Sequence, residues 1–260
     1  MDIQKIEMNE KKNLSIEETF ALAVKNHKNQ NIKVAENLYK KILEINPKYA
    51  GVYYNLGILY KELEENQKAI AFYEKAIQID PNYTQAHINL GIIFKDLGEL
   101  QKAIDCFQRA INIQPDYADA HNNLGLTFKK IGKHQKAISC YEKTIQINPN
   151  HASAYTNLGI LLKELGEYQK AINCYEKAIQ INPNYANVYY NFGNILQELK
   201  EMQKAKNCYE KLLNLDPKYK KGYSGYGNLL LKLTQYNKGL AYIRKGDGVI
   251  RFTQNDVKII

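Results

Sequence analysis

All six prolines of the chain, Pro47, Pro81, Pro115, Pro149, Pro183 and Pro217, stand 34 residues apart. Turn prolines placed independently do not keep one interval. The chain is therefore built from a repeating unit, and a period of this length points to a stack of small supersecondary pieces rather than a single globule. With proline at position 32, units begin at Ile16, Ala50, Thr84, Ala118, Ala152, Ala186 and Lys220.

Other positions keep the same register. Position 8 is Gly57, Gly91, Gly125, Gly159, Gly193 and Gly227; position 20 is Ala35, Ala69, Ala103, Ala137, Ala171 and Ala205; position 24 is Tyr39, Tyr73, Phe107, Tyr141, Tyr175 and Tyr209. Positions 4, 7, 8 and 11 recur at helical spacing, as do 20, 24, 27 and 28, so each unit reads as two amphipathic helices with a turn around positions 14 to 16. Glycine and alanine lack bulk where the two helices cross, which allows close approach despite glycine's helical cost of about 1 kcal/mol. Proline, with no N–H to donate, stops the second helix.

The motif of aromatic or His at 4 (Tyr53, His87, His121, Tyr155), Leu-Gly at 7 and 8, Ala at 20, aromatic at 24 and Pro at 32 resembles the tetratricopeptide repeat over nearly the whole chain. The resemblance implies an all-α, right-handed superhelical solenoid of antiparallel helix pairs, about seven units long. On this register, residues 1–14 are expected to be a flexible N-terminal tail, 15–253 the solenoid, and 254–260 a C-terminal tail. Ser15 and Glu18 form a capping box for the first helix. The last unit, 220–253, reads as a degenerate cap: Gly239 replaces alanine, Ile243 the aromatic and Arg251 the proline, and its second helix should end near Gly246-Asp247-Gly248.

A net charge of +9 raises nucleic acid or an acidic membrane as partners. The positive charge is nearly all lysine, with Arg109, Arg244 and Arg251 the only arginines, and arginine is the residue suited to bidentate phosphate and guanine recognition. Neither partner is expected. No apolar run approaches the roughly 20 residues of a membrane span, and Met1 to Asn13 lacks the apolar core of a secretory signal, so residence in the cytoplasm is expected.

Four cysteines, Cys106, Cys140, Cys174 and Cys208, all fall at position 23. Equivalent positions in neighbouring repeats are about 8 to 10 Å apart, whereas a disulfide needs Cα atoms within about 7 Å, so free thiols are expected. No zinc-type cysteine pairing, phosphate loop, nucleophile elbow or histidine dyad is visible, and neither a metal, a cofactor nor catalysis is expected.

In the tetratricopeptide fold, positions 2, 5, 6, 9, 12 and 13 of the first helices line the concave groove. Here position 6 is Asn55, Asn89, Asn123, Asn157 and Asn191, and position 12 is Lys61, Lys95, Lys129 and Lys163. A carboxamide both donates and accepts, so a regular row of them suits the backbone of an extended segment, and lysines beside it would favour acidic ones. The row is similar to that of the repeat region of O-linked N-acetylglucosamine transferase, where such residues hold the main chain of substrate proteins; a tolerated polar position is the alternative. Tyr54 and Tyr190 add exposed aromatic surface, which suits a second copy of the chain as well as a foreign one. The expected function is a non-catalytic protein-interaction scaffold. The alternative is the substrate-recruiting arm of a glycosyltransferase, sulfotransferase or dioxygenase system.

Overall fold

The computed structural model describes residues 14–247 in full and the backbone of residues 250–253 and 256–259. The proposed N-terminal tail lies, but for residue 14, outside the described residues. Two compact units divide the chain, Met1–Thr127 and Phe128–Ile260.

The first unit carries helices α1 (Ile16–Lys28), α2 (Ile32–Ile45), α3 (Ala50–Glu62), α4 (Asn66–Ile79), α5 (Thr84–Asp96) and α6 (Leu100–Ile113), with most of α7 (Ala118–Lys130). The second carries α8 (His134–Ile147), α9 (Ala152–Glu164), α10 (Tyr168–Ile181), α11 (Ala186–Glu198), α12 (Met202–Leu215), α13 (Lys220–Lys232) and α14 (Tyr236–Asp247). A two-stranded antiparallel hairpin follows, β1 (Ile250–Thr253) with β2 (Asp256–Ile259). Pairs such as α3 with α4 and α9 with α10 are antiparallel helical hairpins, and within each unit successive hairpins stack: the all-α solenoid the period implies. The capping box is present, with Glu18 N–H donating to Ser15 Oγ at 3.1 Å and Ser15 N–H to Glu18 Oε2 at 2.9 Å. The last helix ends at Asp247, within the segment expected to stop it. The hairpin had no counterpart in the repeat pattern.

The glycines at position 8 have a more specific cause than a helix crossing. A Cβ on Gly57 would stand 2.5 Å from Cε1 of Tyr73, on Gly91 2.8 Å from Cε1 of Phe107, and on Gly159 2.7 Å from Cε1 of Tyr175. The ring at position 24 fills the space a side chain at position 8 would need. These rings are fully buried: Tyr39, Tyr73, Phe107, Tyr141, Tyr175 and Tyr209 are all 0% exposed, beside equally buried alanines at position 20. In the last hairpin the aromatic is absent and the backbones meet instead, with the Gly227 Cβ site 2.7 Å from the Gly239 carbonyl oxygen.

The joints between units are set by hydrogen bonds around the prolines. Asn46, Asp80, Asn148, Asn182 and Asp216 each precede a proline, and each Oδ1 accepts from the N–H two residues on at 3.0 to 3.1 Å, an Asx-turn across the proline. The proline carbonyl in turn accepts from position 4 of the next unit. His87 Nε2 meets Pro81 O at 3.0 Å, His121 Nε2 meets Pro115 O at 2.9 Å, and the hydroxyls of Tyr189 and Tyr223 donate to Pro183 and Pro217 at 3.0 and 3.1 Å. A carbonyl only accepts, so both imidazoles carry their proton on Nε2. This explains why both histidine and tyrosine serve at position 4.

Within each hairpin the turn has one left-handed residue, at position 15: Gly98, Gly132 and Gly166, but also Gln30, Glu64, Lys200 and Thr234, with φ between 60° and 80°. A residue with a Cβ is strained there by about 1 to 2 kcal/mol, and glycine is not. Lys200→Gly should therefore raise stability by about 1 kcal/mol and Gly132→Ala should lower it by a similar amount, as read from urea melts; nothing lies within 4 Å of a Cβ at Gly132, so packing does not confound the comparison.

Candidate functional site

The face built by positions 2, 5, 6, 9 and 12 of the first helices carries the expected binding residues. In the first unit, Asn55 Nδ2 donates to the Gly51 carbonyl at 2.7 Å, and Asn123 Nδ2 to Asp119 O at 2.9 Å, each one turn back on its own helix. Asn89 Nδ2 instead reaches the hydroxyls of Tyr54 and Tyr73, at 3.3 and 3.4 Å. In the second unit, Asn191 Nδ2 donates to Asn187 O at 2.9 Å. Asn157 lies at the same position of α9, half-buried like the others. The amino group is thus engaged at each of those four. The oxygens of Asn55, Asn89 and Asn191 have no partner among the described residues, and a carboxamide oxygen accepts up to two hydrogen bonds.

The lysines are less available than a plain basic stripe. In the second unit Lys129 Nζ pairs with Glu164 at 2.8 Å and Lys163 with Glu198 at 2.6 Å, both joining position 12 to position 13 of the following repeat. His27 and Glu62 make the same link in the first unit at 3.2 Å. Lys95 donates to Asn123 Oδ1 at 3.2 Å and stands 3.8 Å from Asp96. Lys61 has no ion pair among the described residues. These pairs are partly exposed, and each stabilises the stack by about 0.2 to 1 kcal/mol.

Tyr54 and Tyr190 are held by aromatic partners at position 34 of their own units. Tyr54 lies 4.9 Å from Tyr83 and 5.9 Å from Tyr73, and Tyr190 lies 5.5 Å from Tyr219, between ring centroids. Phe20 and Tyr49 repeat the arrangement at 5.3 Å. Apart from the fully buried Tyr73, the six rings of these pairs are half-buried, so each pair offers one face to a ligand.

At the C-terminal end of the second unit this face opens into a cavity of about 390 Å³, lined by Tyr190, Asn194, Gln197, Tyr209, Lys221 and Gly225 among others. Its residues were visible in the sequence only as departures from the repeat: Asn194 and Asn228 where position 9 is aliphatic in the earlier repeats, Gln197 in place of lysine, and Gly225 in place of asparagine.

The cysteines are free thiols and burial dominates their chemistry. Loss of hydration, aided by the Asp105 and Glu74 carboxylates, pushes the Cys106 thiol up to about 12, and burial pushes Cys140, Cys174 and Cys208 up to about 11. None carries appreciable thiolate near neutral pH. Among the described residues no group of three or more His, Cys, Asp or Glu is placed to hold a metal ion, and no helix is long and apolar enough to cross a membrane.

Sequence profiles described as Tetratricopeptide repeat match residues 50–83, 72–105, 116–184 and 152–218, and one described as TPR repeat matches residues 91–132. The crystal structure of MamA is 32% identical, with a TM-score of 0.58 over 64% of this chain and 96% of that one. The chain belongs to the tetratricopeptide repeat family. The fold is shared more widely: the pilF protein of Pseudomonas aeruginosa superposes with a TM-score of 0.72 at 20% identity, over 84% of this chain and 97% of that one. YrrB, described as a TPR protein with an unusual peptide-binding site, does so with a TM-score of 0.57 at 22% identity, over 76% and 97%. No curated protein matches the chain.

Within this tetratricopeptide array, the tyrosine hydroxyls at position 24 are unequal. Those of Tyr39, Tyr141 and Tyr175 are buried with no partner among the described residues, whereas Tyr209 Oη donates to Asn194 Oδ1 at 2.7 Å. A buried, unsatisfied hydroxyl costs about 1 to 3 kcal/mol, and Phe107 shows that the site accepts a plain ring. Tyr175→Phe is expected to leave stability unchanged or raise it by about 1 kcal/mol, and Tyr209→Phe to lower it by about 1 kcal/mol, when the two are compared by chemical denaturation.

Proposed function

We propose that this tetratricopeptide protein is a non-catalytic interaction scaffold, and that the first-helix face of its repeats holds an extended segment of another protein by that segment's main chain. The observation that carries this is the state of the asparagines. With Nδ2 tied down at Asn55, Asn89 and Asn191, what remains for a ligand is a set of fixed carboxamide oxygens. Fixed acceptors suit backbone N–H donors, which every segment has regardless of its sequence. Holding the acceptors in place before binding reduces the side-chain ordering that association would otherwise require.

The aromatic pairs at Tyr54 and Tyr190 supply apolar contact beside the acceptors, where side chains of the segment would rest. The ion pairs of Lys129 and Lys163 temper the attraction for acidic segments, since a carboxylate ligand must compete with Glu164 and Glu198 for the same ammonium groups. A preference for acidic residues is thus best placed near Lys61.

The test is selection of binders from a random linear-peptide library, followed by affinity measurement on the selected peptides. Replacing Asn55, Asn89 and Asn191 together by Ala should weaken binding at least tenfold in a protein whose circular dichroism is unchanged. Methylating backbone nitrogens at one set of alternate residues of the peptide should do the same. Peptides that bind the triple variant undiminished, or tolerate methylation throughout, would show that the main chain is not what the repeats hold.

A further inference from the structure

The cavity at the end of the second unit differs chemically from the rest of the face. Elsewhere the face repeats asparagine at position 6, an aliphatic residue at 9 and lysine at 12; here Gly225, Asn194 with Asn228, and Gln197 stand in those places. The glycine lets the Tyr209 ring form the cavity wall. A Cβ at 225 would stand 2.9 Å from Tyr209 Cε1 and 3.3 Å from its hydroxyl oxygen, so a side chain there, as in other repeats, would push aside the ring that lines the cavity beside Gly225.

That hydroxyl has one proton and orients one carboxamide: it donates to Asn194 Oδ1 at 2.7 Å, while Gln197 Oε1 lies 3.5 Å away. The amino groups of Asn194 and Gln197 have no partner among the described residues, and the same is true of the Lys221 ammonium at the rim. Acceptors are present too. Asp247 accepts from Ser224 Oγ through Oδ1 at 2.6 Å and keeps its second oxygen, and the Tyr209 oxygen keeps a lone pair. The cavity therefore offers donors and acceptors together, with one positive and one negative charge at its edge and the Tyr190 ring as an apolar wall.

We infer that this cavity is a side-chain pocket for a neutral carboxamide, glutamine or asparagine, borne by the segment the repeats hold; the inference rests on the peptide-holding reading above. A carboxamide oxygen would accept from the Asn194 and Gln197 amino groups, its own amino group would donate to Asp247, and its methylenes would lie along Tyr190. A carboxylate would meet Asp247, and an ammonium would meet Lys221, each a like charge in a partly desolvated site. Fixed polar groups of this kind discriminate strongly, because a ligand without the matching group leaves them unpaired.

The experiment uses the full chain and capped single residues as probes: the N-acetyl methylamides of glutamine, glutamate, lysine and leucine, titrated at neutral pH while the side-chain amide resonances of Asn194 and Gln197 are followed by NMR. The glutamine probe should shift both resonances saturably and bind at least tenfold more tightly than the other three. Asn194→Ile, which installs the residue found at Ile58, Ile92 and Ile160, should retain the helical spectrum and lose that binding, and Gly225→Asn should lose it by displacing the Tyr209 ring that lines the cavity. Equal or tighter binding of the glutamate probe, no saturable shift with the glutamine probe, or undiminished binding to Asn194→Ile would overturn the proposal. Capped single residues do not span the asparagine row, so failure here and failure of the main-chain reading are separate results.

Discussion

The contact on which this protein depends is a buried aromatic ring seated against a glycine. Tyr73 on Gly57, Phe107 on Gly91, Tyr175 on Gly159 and Tyr209 on Gly193 each occupy the volume of a missing side chain, and each fixes how closely the two helices of a hairpin approach. No single hairpin buries its own apolar surface, so this geometry is passed from neighbour to neighbour within a unit. Where the ring is Tyr73 or Tyr209, it carries a hydroxyl to the underside of the first-helix face, and what meets that hydroxyl sets the local character of the face: the asparagine at Asn89, and the cavity beside Gly225.

The electrostatics are organised inward to a degree that net charge hides. Lys129 and Lys163 at position 12 bridge to carboxylates one repeat on, and lysines at position 19 pair with glutamates three residues earlier, Lys68 with Glu65 and Lys170 with Glu167 at 2.6 and 2.5 Å. Lys68 and Lys102 also sit 4.9 and 5.1 Å above the rings of Tyr60 and Phe94. Part of the lysine charge is therefore paired locally, while the net charge of the chain stays at +9.

The proline interval, the small residues at 8 and 20 and the aromatic at 24 made the helical hairpins, their turn positions and the first-helix capping box legible from the sequence alone. The residues of the asparagine row were legible as well, but not their engagement: a residue type does not say whether a carboxamide bonds a carbonyl one turn back, as Asn55 does, or a tyrosine, as Asn89 does. Pairs such as Lys163 with Glu198, 35 residues apart, emerge only when repeats are stacked in space. The left-handed residue at position 15 was hidden wherever glycine is absent, as at Glu64 and Lys200, because a residue with a Cβ carries no local signal for that conformation. The hairpin of Ile250–Thr253 with Asp256–Ile259 begins inside the degenerate last unit, 220–253, where the repeat pattern has already lapsed and periodicity carries no information.

The central claim is that fixed carboxamide oxygens on the first-helix face receive the main chain of an extended segment. A crystal structure of the chain bound to a selected linear peptide tests it most directly. The account predicts an extended peptide along that face, with backbone N–H groups within hydrogen-bonding distance of the Asn55 or Asn191 oxygens. A peptide bound as a helix, or seated on the second-helix face with those oxygens uncontacted, would contradict it.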